Sequence, residues 1–373
     1  MKPKTPKKIL VVKLADLGDA LLITPALRAL RETFPQAKIE VLTTNGGPVL
    51  ENSPYLDRVI YFNKYLFDQP REALKPKNLF QAARFLFGLT LARYDTLIFF
   101  HHFTTRWGTL KYGALALATL APVRLGLDNG RGWFLNRRVV DRGFESSSER
   151  EYWLELVQAL GAKLPEDIRP SINLSIANRN KADQLYNTLP GSGPVVAIHP
   201  GGGNYSLARR WLPGKFAEVA DALVQQQGAR VVLVGGADEV KLGQQVIDLM
   251  HCPEYVTNLA GQTGIGEVSA FIARCALFIG NDAGLMHLAT AVGTPIVAIF
   301  GPTNRRAWGP YGETKAEGGG SIVVQAELDL ACRPCLYRGK ELGWRNGCAA
   351  RPCLTEIRAE QVIEAAKKVL SNE

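Results

Sequence analysis

Residues 277–300 read LFIGNDAGLMHLATAVGTPIVAIF, and this stretch decides the fold class. Leu277 to Gly280 is a short apolar run that suits a buried strand. The polar turn Asn281-Asp282-Ala283 leads into Gly284 to Val292, which has helical spacing, and Pro295 to Phe300 is a second strand-like run. Strand, helix and strand in so few residues describe a crossover between parallel strands. Upstream, the same order repeats. Val195 to His199 reads as a strand followed by glycines, Pro213 to Gln227 as a helix, Ala229 to Val234 as a strand before the turn Gly235-Gly236, and Glu267 to Arg274 as a helix.

A separate series fills the first half. Ile9 to Leu14, Lys38 to Thr43, Arg58 to Phe62 and Thr96 to Phe100 read as strands, and Leu21, Leu22, Pro25, Leu27 and Leu30 recur with helical spacing after the first. The stretch from Gly161 to Gly193 reads as irregular, and Glu356 to Leu370 as a final helix. The predicted architecture is α/β, with two Rossmann-like domains facing each other across a cleft. Residues 1–170 form the first domain, 171–192 a linker, and 193–373 the second domain with its terminal helix. Ligands are expected at the carboxyl ends of the strands.

Composition narrows the setting. The 373 residues are 46% hydrophobic, enough for two cores. No stretch reaches the roughly 18 consecutive apolar residues of a membrane span; the runs Leu79 to Leu91 and Tyr112 to Pro122 are short, and Arg84 interrupts the first. The opening MKPKTPKKIL lacks a signal-peptide apolar region, so the expected location is the cytoplasm. Residues 1–170 hold 25 Lys and Arg against 17 Asp and Glu, a net +8, leaving +1 of the total +9 to the remainder. Arg124, Arg131, Arg137, Arg138 and the early lysines supply that charge. It suits an anionic acceptor or a peripheral contact with an anionic membrane surface, or else a solvated basic face. No nucleic-acid-binding module is evident.

Cys332-x2-Cys335-x12-Cys348-x4-Cys353 admits two readings, a structural zinc site or free thiols packed in a loop-rich segment. Cytosolic placement argues against disulfides.

Four features carry chemistry. Asp16-Leu17-Gly18-Asp19 sets a carboxylate at the start of the first helix, where it serves either as a cap or as a general base. His199-Pro200-Gly201-Gly202-Gly203 is a strand end whose bare backbone allows close approach of a phosphate, with Arg209-Arg210 just downstream to offset negative charge. Asp282, Ala283 and Gly284 open a helix whose amino end suits an anion, although Asp282 could equally cap it and His287 could equally be a packed core residue. Asp238, after Gly235-Gly236-Ala237, suits either ribose hydroxyls or the start of another helix.

Leu17-Gly18-Asp19 near the amino end, His199-Pro200-Gly201-Gly202 before Arg209-Arg210-Trp211, Gly235-Gly236-Ala237-Asp238-Glu239, Asn281 to Ala289, and Gly293 to Tyr311 together resemble glycosyltransferase family nine, the bacterial heptosyltransferases. The resemblance covers nearly the whole chain and extends to the late cysteines. It implies the GT-B fold and inverting transfer of a heptose from a nucleotide-diphosphate donor, ADP-heptose, to a lipid-linked saccharide of the lipopolysaccharide-core kind. Asp19 then matches the catalytic base, and Gly201 and Gly202 the phosphate loop. Arg209 stands where family members carry a lysine facing the donor phosphates. Asp282, Ala283, Gly284, Leu285 and His287 match the second donor-binding turn, Asp238 a ribose-binding acid, and Gln262 and Thr263 lie beside the expected adenine. No metal or other cofactor is expected in the chemistry.

A nicotinamide-dependent oxidoreductase is the rival enzyme class, but Ala15 to Ala20 lacks the Gly-x-Gly-x-x-Gly spacing, and an acid there repels a pyrophosphate. A non-catalytic sugar-nucleotide-binding protein is the other alternative.

Overall fold

The computed structural model describes residues 5–67, 70–203, 205–312 and 320–371. The chain divides into two units, Met1–Ile168 with Gly339–Glu341, and Arg169–Arg338 with Leu342–Glu373.

The first unit holds a parallel sheet of β1 (Lys8–Lys13), β2 (Lys38–Thr43), β3 (Arg58–Tyr61), β4 (Thr96–Phe99), β5 (Val123–Asp128) and β6 (Arg137–Val140), in the order β3-β2-β1-β4-β5-β6. The second holds β7 (Val195–His199), β8 (Arg230–Leu233), β9 (Val256–Asn258), β10 (Leu277–Asn281), β11 (Ile296–Ile299) and β12 (Ser321–Val324), in the order β12-β11-β10-β7-β8-β9. Both follow the doubly wound pattern, whose order reverses beside the first strand of each unit. The switch points therefore fall between β1 and β4 and between β7 and β10. Ile9 to Val12 and Val195 to Ile198 are buried because helices cover both sheet faces.

Local signals explain the helices whose bounds match expectation. Pro213 occupies the first position of the Pro213–Gln227 helix, and Gly228 ends it at φ +59°. Gly293, at φ +81°, ends Gly284–Val292 in the same way.

Elsewhere the structure corrects the reading. The apolar series after β1 is two helices, Leu17–Leu21 and Thr24–Thr33; Pro25 lacks an amide for a continuous ladder, and the Thr24 hydroxyl donates to the Leu21 carbonyl at 2.7 Å. The stretch read as irregular carries the helix Ile176–Asn187, started by Ser175, whose hydroxyl accepts from the Asn178 amide at 3.2 Å. Only Ala182 of that helix is buried, so no apolar stripe announced it. The runs Leu79 to Leu91 and Tyr112 to Pro122 belong to the helices Pro76–Ala92 and Arg106–Thr119. Among the described residues no helix is long and apolar enough to cross a membrane. Several arginines of the first unit are engaged in holding loops. Arg124 donates to the Phe134 and Ala121 carbonyls, each at 2.8 Å, Arg131 to Phe103 at 3.0 Å and Thr104 at 2.5 Å, and Arg138 pairs with Asp128 at 3.3 Å.

Behind the β1 and β4 ends lies a buried charge cluster. His102 bonds Asp141 through Nδ1 at 3.0 Å and Glu149 through Nε2 at 2.8 Å. Glu149 starts the helix Glu149–Leu160, which Ser148 and Glu151 cap reciprocally. Burial works against the charged ring, but the Glu149 charge and the bonds to both carboxylates outweigh it and raise the His102 pKa to about 9. Asp141 is correspondingly held below its ordinary value: its burial opposes this, and the His102 bond prevails.

A histidine whose folded pKa exceeds the ordinary 6.5 adds stability that is complete below pH 6.5 and lost as pH rises through about 9. Relative to His102→Gln, the wild-type melting temperature should therefore decline between those limits, as followed by thermal unfolding at several pH values. At pH 6.5 and below the variant should be the less stable protein, because buried Asp141 has lost its cationic partner and Glu149 keeps only Lys13.

Candidate active site

The first-unit loop after β1 is fixed from several sides. The Leu14 amide donates to His101 Nε2 at 2.7 Å, and its carbonyl accepts from Lys64 Nζ at 2.8 Å. The Ala15 carbonyl accepts from the Gly46 amide at 3.0 Å. Burial first, then the charges of Lys13, Lys64 and His102, push the His101 pKa well below its ordinary value, so this ring is a neutral acceptor beside a charged His102.

Asp16 occupies the N-cap position, yet its side chain makes no cap bond. Instead Asp16 Oδ1 accepts from Asn45 at 3.0 Å and from the Tyr65 hydroxyl at 2.9 Å. Asp19 sits in the first helical turn with its side chain 37% exposed and 3.9 Å from the ammonium of Lys13. Lys13 is itself buried, 3.5 Å from Glu149 and 4.3 Å from the centre of the Trp153 ring. Lys13 thus stands between a buried carboxylate and a partly exposed one. Lys13, His101 and His102 escaped the sequence reading, although the histidine pair directly follows a strand end and was there to be noticed.

The second-unit site is built around two side chains that sequence reading did not single out. Asn281 is fully buried; its amide donates to the Pro200 carbonyl at 2.9 Å and the Gly201 carbonyl at 2.7 Å, and its oxygen accepts from the Trp211 amide at 3.0 Å. One side chain thus locks the glycine loop to the segment after Arg209-Arg210. Glu239 accepts from the Gly202 and Gly203 amides at 3.1 and 3.3 Å and from the Gly236 amide at 3.1 Å. It also bonds His199 Nε2 at 2.9 Å and Arg210 at 3.4 Å. Burial would raise its pKa, but the His199 bond and charge and the Gly236 and Gly202 amides bring it down to about 2. Five donors exhaust the roughly four lone pairs of a carboxylate, which makes Glu239 a scaffold rather than an acceptor for a ligand. Gly201 is required here, since a Cβ at that position would lie 1.9 Å from Glu239 Oε1.

The Gly202 amide, expected to face a phosphate, is therefore directed at Glu239. Arg209 connects the two turns, donating to the Gly202 carbonyl at 2.9 Å and standing 3.8 Å from Asp282 Oδ2. Its Nε is buried without a hydrogen-bond partner among the described residues. Ala283, not Asp282, is the N-cap of Gly284–Val292, and no side chain caps that helix. Gly284 and Leu285 are half-buried in its first turn, and His287 is buried one position past Met286. Asp238 is exposed, while Glu239 next to it is turned inward. The Gly261 amide donates to the Gly235 carbonyl at 3.0 Å, which brings exposed Gln262 and half-buried Thr263 beside the turn that carries Asp238.

The four late cysteines line one small cavity with Ala208, Pro302 and Arg351. All are free thiols; burial and the neighbouring thiols push Cys353 up to about 11 and raise Cys335 in the same direction. Among the described residues no group of three His, Cys, Asp or Glu side chains is arranged to hold a metal ion.

Comparison with known proteins bears on the family and the fold. The family model for glycosyltransferase family 9 (heptosyltransferase) matches residues 93–337. Lipooligosaccharide heptosyltransferase 2 of Haemophilus influenzae is 24% identical over 314 residues, 79% of this chain and 84% of the relative. Lipopolysaccharide heptosyltransferase 3 of Escherichia coli K12 is 28% identical over 367 residues, 95% of both chains. The solved structure of E. coli ADP-heptose lipopolysaccharide heptosyltransferase II superposes with a TM-score of 0.72 at 22% identity, covering 98% of this chain and 99% of that one. With well over half its length matched by the family model and both sheets in the matching fold, the chain belongs to glycosyltransferase family 9 and is a glycosyltransferase of the GT-B fold.

Proposed function

We propose that the chain transfers a heptose-type sugar from ADP-heptose to a saccharide of a lipopolysaccharide-core-like glycolipid, with inversion. The observation that carries the donor half is Arg209, a fixed cation joining the glycine loop to the Asp282 turn. Family membership and the names of the aligned relatives, which are heptosyltransferases of lipopolysaccharide or lipooligosaccharide, support the sugar and the acceptor class.

In this reading Asp19 takes the proton of the acceptor hydroxyl as that oxygen attacks the anomeric carbon and the bond to the diphosphate breaks. Asp16 is held by Asn45 and Tyr65, whereas Asp19, half-buried in the first helical turn beside the Lys13 ammonium, is the carboxylate assigned the proton. Charge developing on the leaving diphosphate meets Arg209 and the amides at the start of Gly284–Val292. Gly201 and Gly202, held by Glu239 and Asn281, supply the close backbone approach. Asp238 accepts from ribose hydroxyls, and Gln262 and Thr263 flank the base. Ala283, Leu285 and His287 shape the turn against the donor. No metal is assigned a step, and the late cysteines are given no part in the transfer. The protein works in the cytoplasm, peripheral to the inner face of the membrane that carries its acceptor.

Nucleoside diphosphates should raise the melting temperature of the purified protein, ADP and ADP-heptose most within a panel. Arg209→Ala should weaken ADP binding by about tenfold to a hundredfold, the loss of a charge-assisted contact, as measured by calorimetric titration. Unchanged affinity would remove Arg209 from the donor site.

Asp19→Asn should lower turnover by about a hundredfold to ten-thousandfold while the ADP-induced stabilisation stays near wild type. Asp16→Asn, assayed in parallel, should affect the loop and not the proton transfer. Near-normal turnover of the Asp19 variant, or a collapse confined to the Asp16 variant, contradicts the assignment.

A further inference from the structure

The first unit presents an apolar face that its core and its strand-end loops do not use. On the Pro76–Ala92 helix, Phe80, Phe87 and Leu91 are 70%, 62% and 64% exposed, at spacings that stack them on one side. The Arg106–Thr119 helix packs beside it and leaves Leu110 and Leu117 each 54% exposed, also one above the other. Trp133, 55% exposed, lies against Gly113 of that helix, where a Cβ would meet its ring at 2.5 Å. Large apolar side chains left in water on two helices packed side by side indicate a surface that is covered in use.

Beside this face runs a groove of about 870 Å³ whose charged lining is Lys8, Lys38, Arg58 and Arg84 against the acid Glu40. That acid is neutralised locally, since Glu40 accepts from the Tyr94 hydroxyl and pairs with Lys38 at 3.0 Å. Arg58 and Arg84 are exposed. Leu91 belongs to both groove and face. The arrangement sets cations and exposed apolar groups edge to edge.

We propose that this face docks on an anionic lipid bilayer, with the groove cations taking lipid phosphates and Phe80, Phe87 and Leu91 entering the interfacial layer. The inference extends the peripheral placement proposed above to a specific surface. Arg84 decides between lipid and protein as the occupant. It stands on the apolar stripe between Phe80 and Phe87, where a dry protein interface would strip it of water without compensation, whereas headgroup phosphates pair with it and its stem lies along the acyl boundary. A second copy of the chain seated there would bring the same cations together.

Flotation of the full-length protein with vesicles of phosphatidylcholine, alone or mixed with phosphatidylglycerol, tests this without donor or acceptor. Binding is expected only to the anionic vesicles, weakening as salt shortens the Debye length below about 10 Å. The variants Arg58→Glu/Arg84→Glu and Phe87→Ser/Leu91→Ser should each lower the partition by about tenfold or more. ADP-induced stabilisation, which does not involve this face, reports that the variants are folded, and single Arg84→Glu and Phe87→Ser serve if a double variant is not. Anionic-vesicle binding that both folded variants retain overturns the face but leaves peripheral placement standing; absence of wild-type binding overturns both and leaves the transfer reading intact. A wild-type dimer in light scattering that Phe87→Ser/Leu91→Ser converts to monomer assigns the face to a second copy and overturns the lipid.

Discussion

The side chain of Asn281 has no exposed surface, and three backbone groups from two other segments converge on it. A buried primary amide must find partners for its donors and acceptor, and here all come from the loop after β7 and from Trp211. This fixes the carbonyls of Pro200 and Gly201 toward Asn281 and leaves the amides of Gly202 and Gly203 to Glu239. The position of Arg209, one residue from Arg210 and two from Trp211, follows from the same lock. Without it the glycine loop would have many conformations, and an arginine aimed across it would have no fixed target.

The first unit solves the corresponding problem with charge. At the β1 and β4 ends, Lys13, His102, Asp141 and Glu149 form a buried set in which each ion has an opposite neighbour. Such clusters add little net stability over an apolar core, but they hold their members in one geometry and penalise the loss of any one. Asp19 lies at the open edge of that set, in partial contact with solvent. Two histidines adjacent in sequence end in opposite states, His101 neutral as an acceptor from the Leu14 amide and His102 charged between carboxylates.

The charge asymmetry between the halves has two components. Arg124, Arg131 and Arg138 are committed to loop carbonyls or to Asp128 and contribute to the fold. Arg58 and Arg84 are exposed beside an apolar helix face. A net charge read from composition cannot distinguish a guanidinium that organises a loop from one that faces a partner; the neighbours of each side chain make that distinction.

By itself the sequence determined the two βαβ series and the class of fold, because alternating apolar runs, Pro at a first helical position and Gly at a helix end act within a few residues. β2, β7 and the helices Pro213–Gln227 and Gly284–Val292 have the bounds that their residues announce. The tertiary structure alone decided the rest. β5, β6, β9 and β12 lack a long apolar run, being short, edge-placed or interrupted by Arg or Gly, and exist because a neighbouring strand offers its hydrogen bonds. The helix Ile176–Asn187 buries too little to show a stripe. Which of Asp238 and Glu239 turns inward, and that Asn45 and Tyr65 hold Asp16, depends on groups 29 to 49 residues away that only the folded sheet brings within hydrogen-bond reach. Local sequence fixes backbone conformation through short-range sterics and hydrogen bonds, whereas the state of a carboxylate is set by whatever the whole fold places against it.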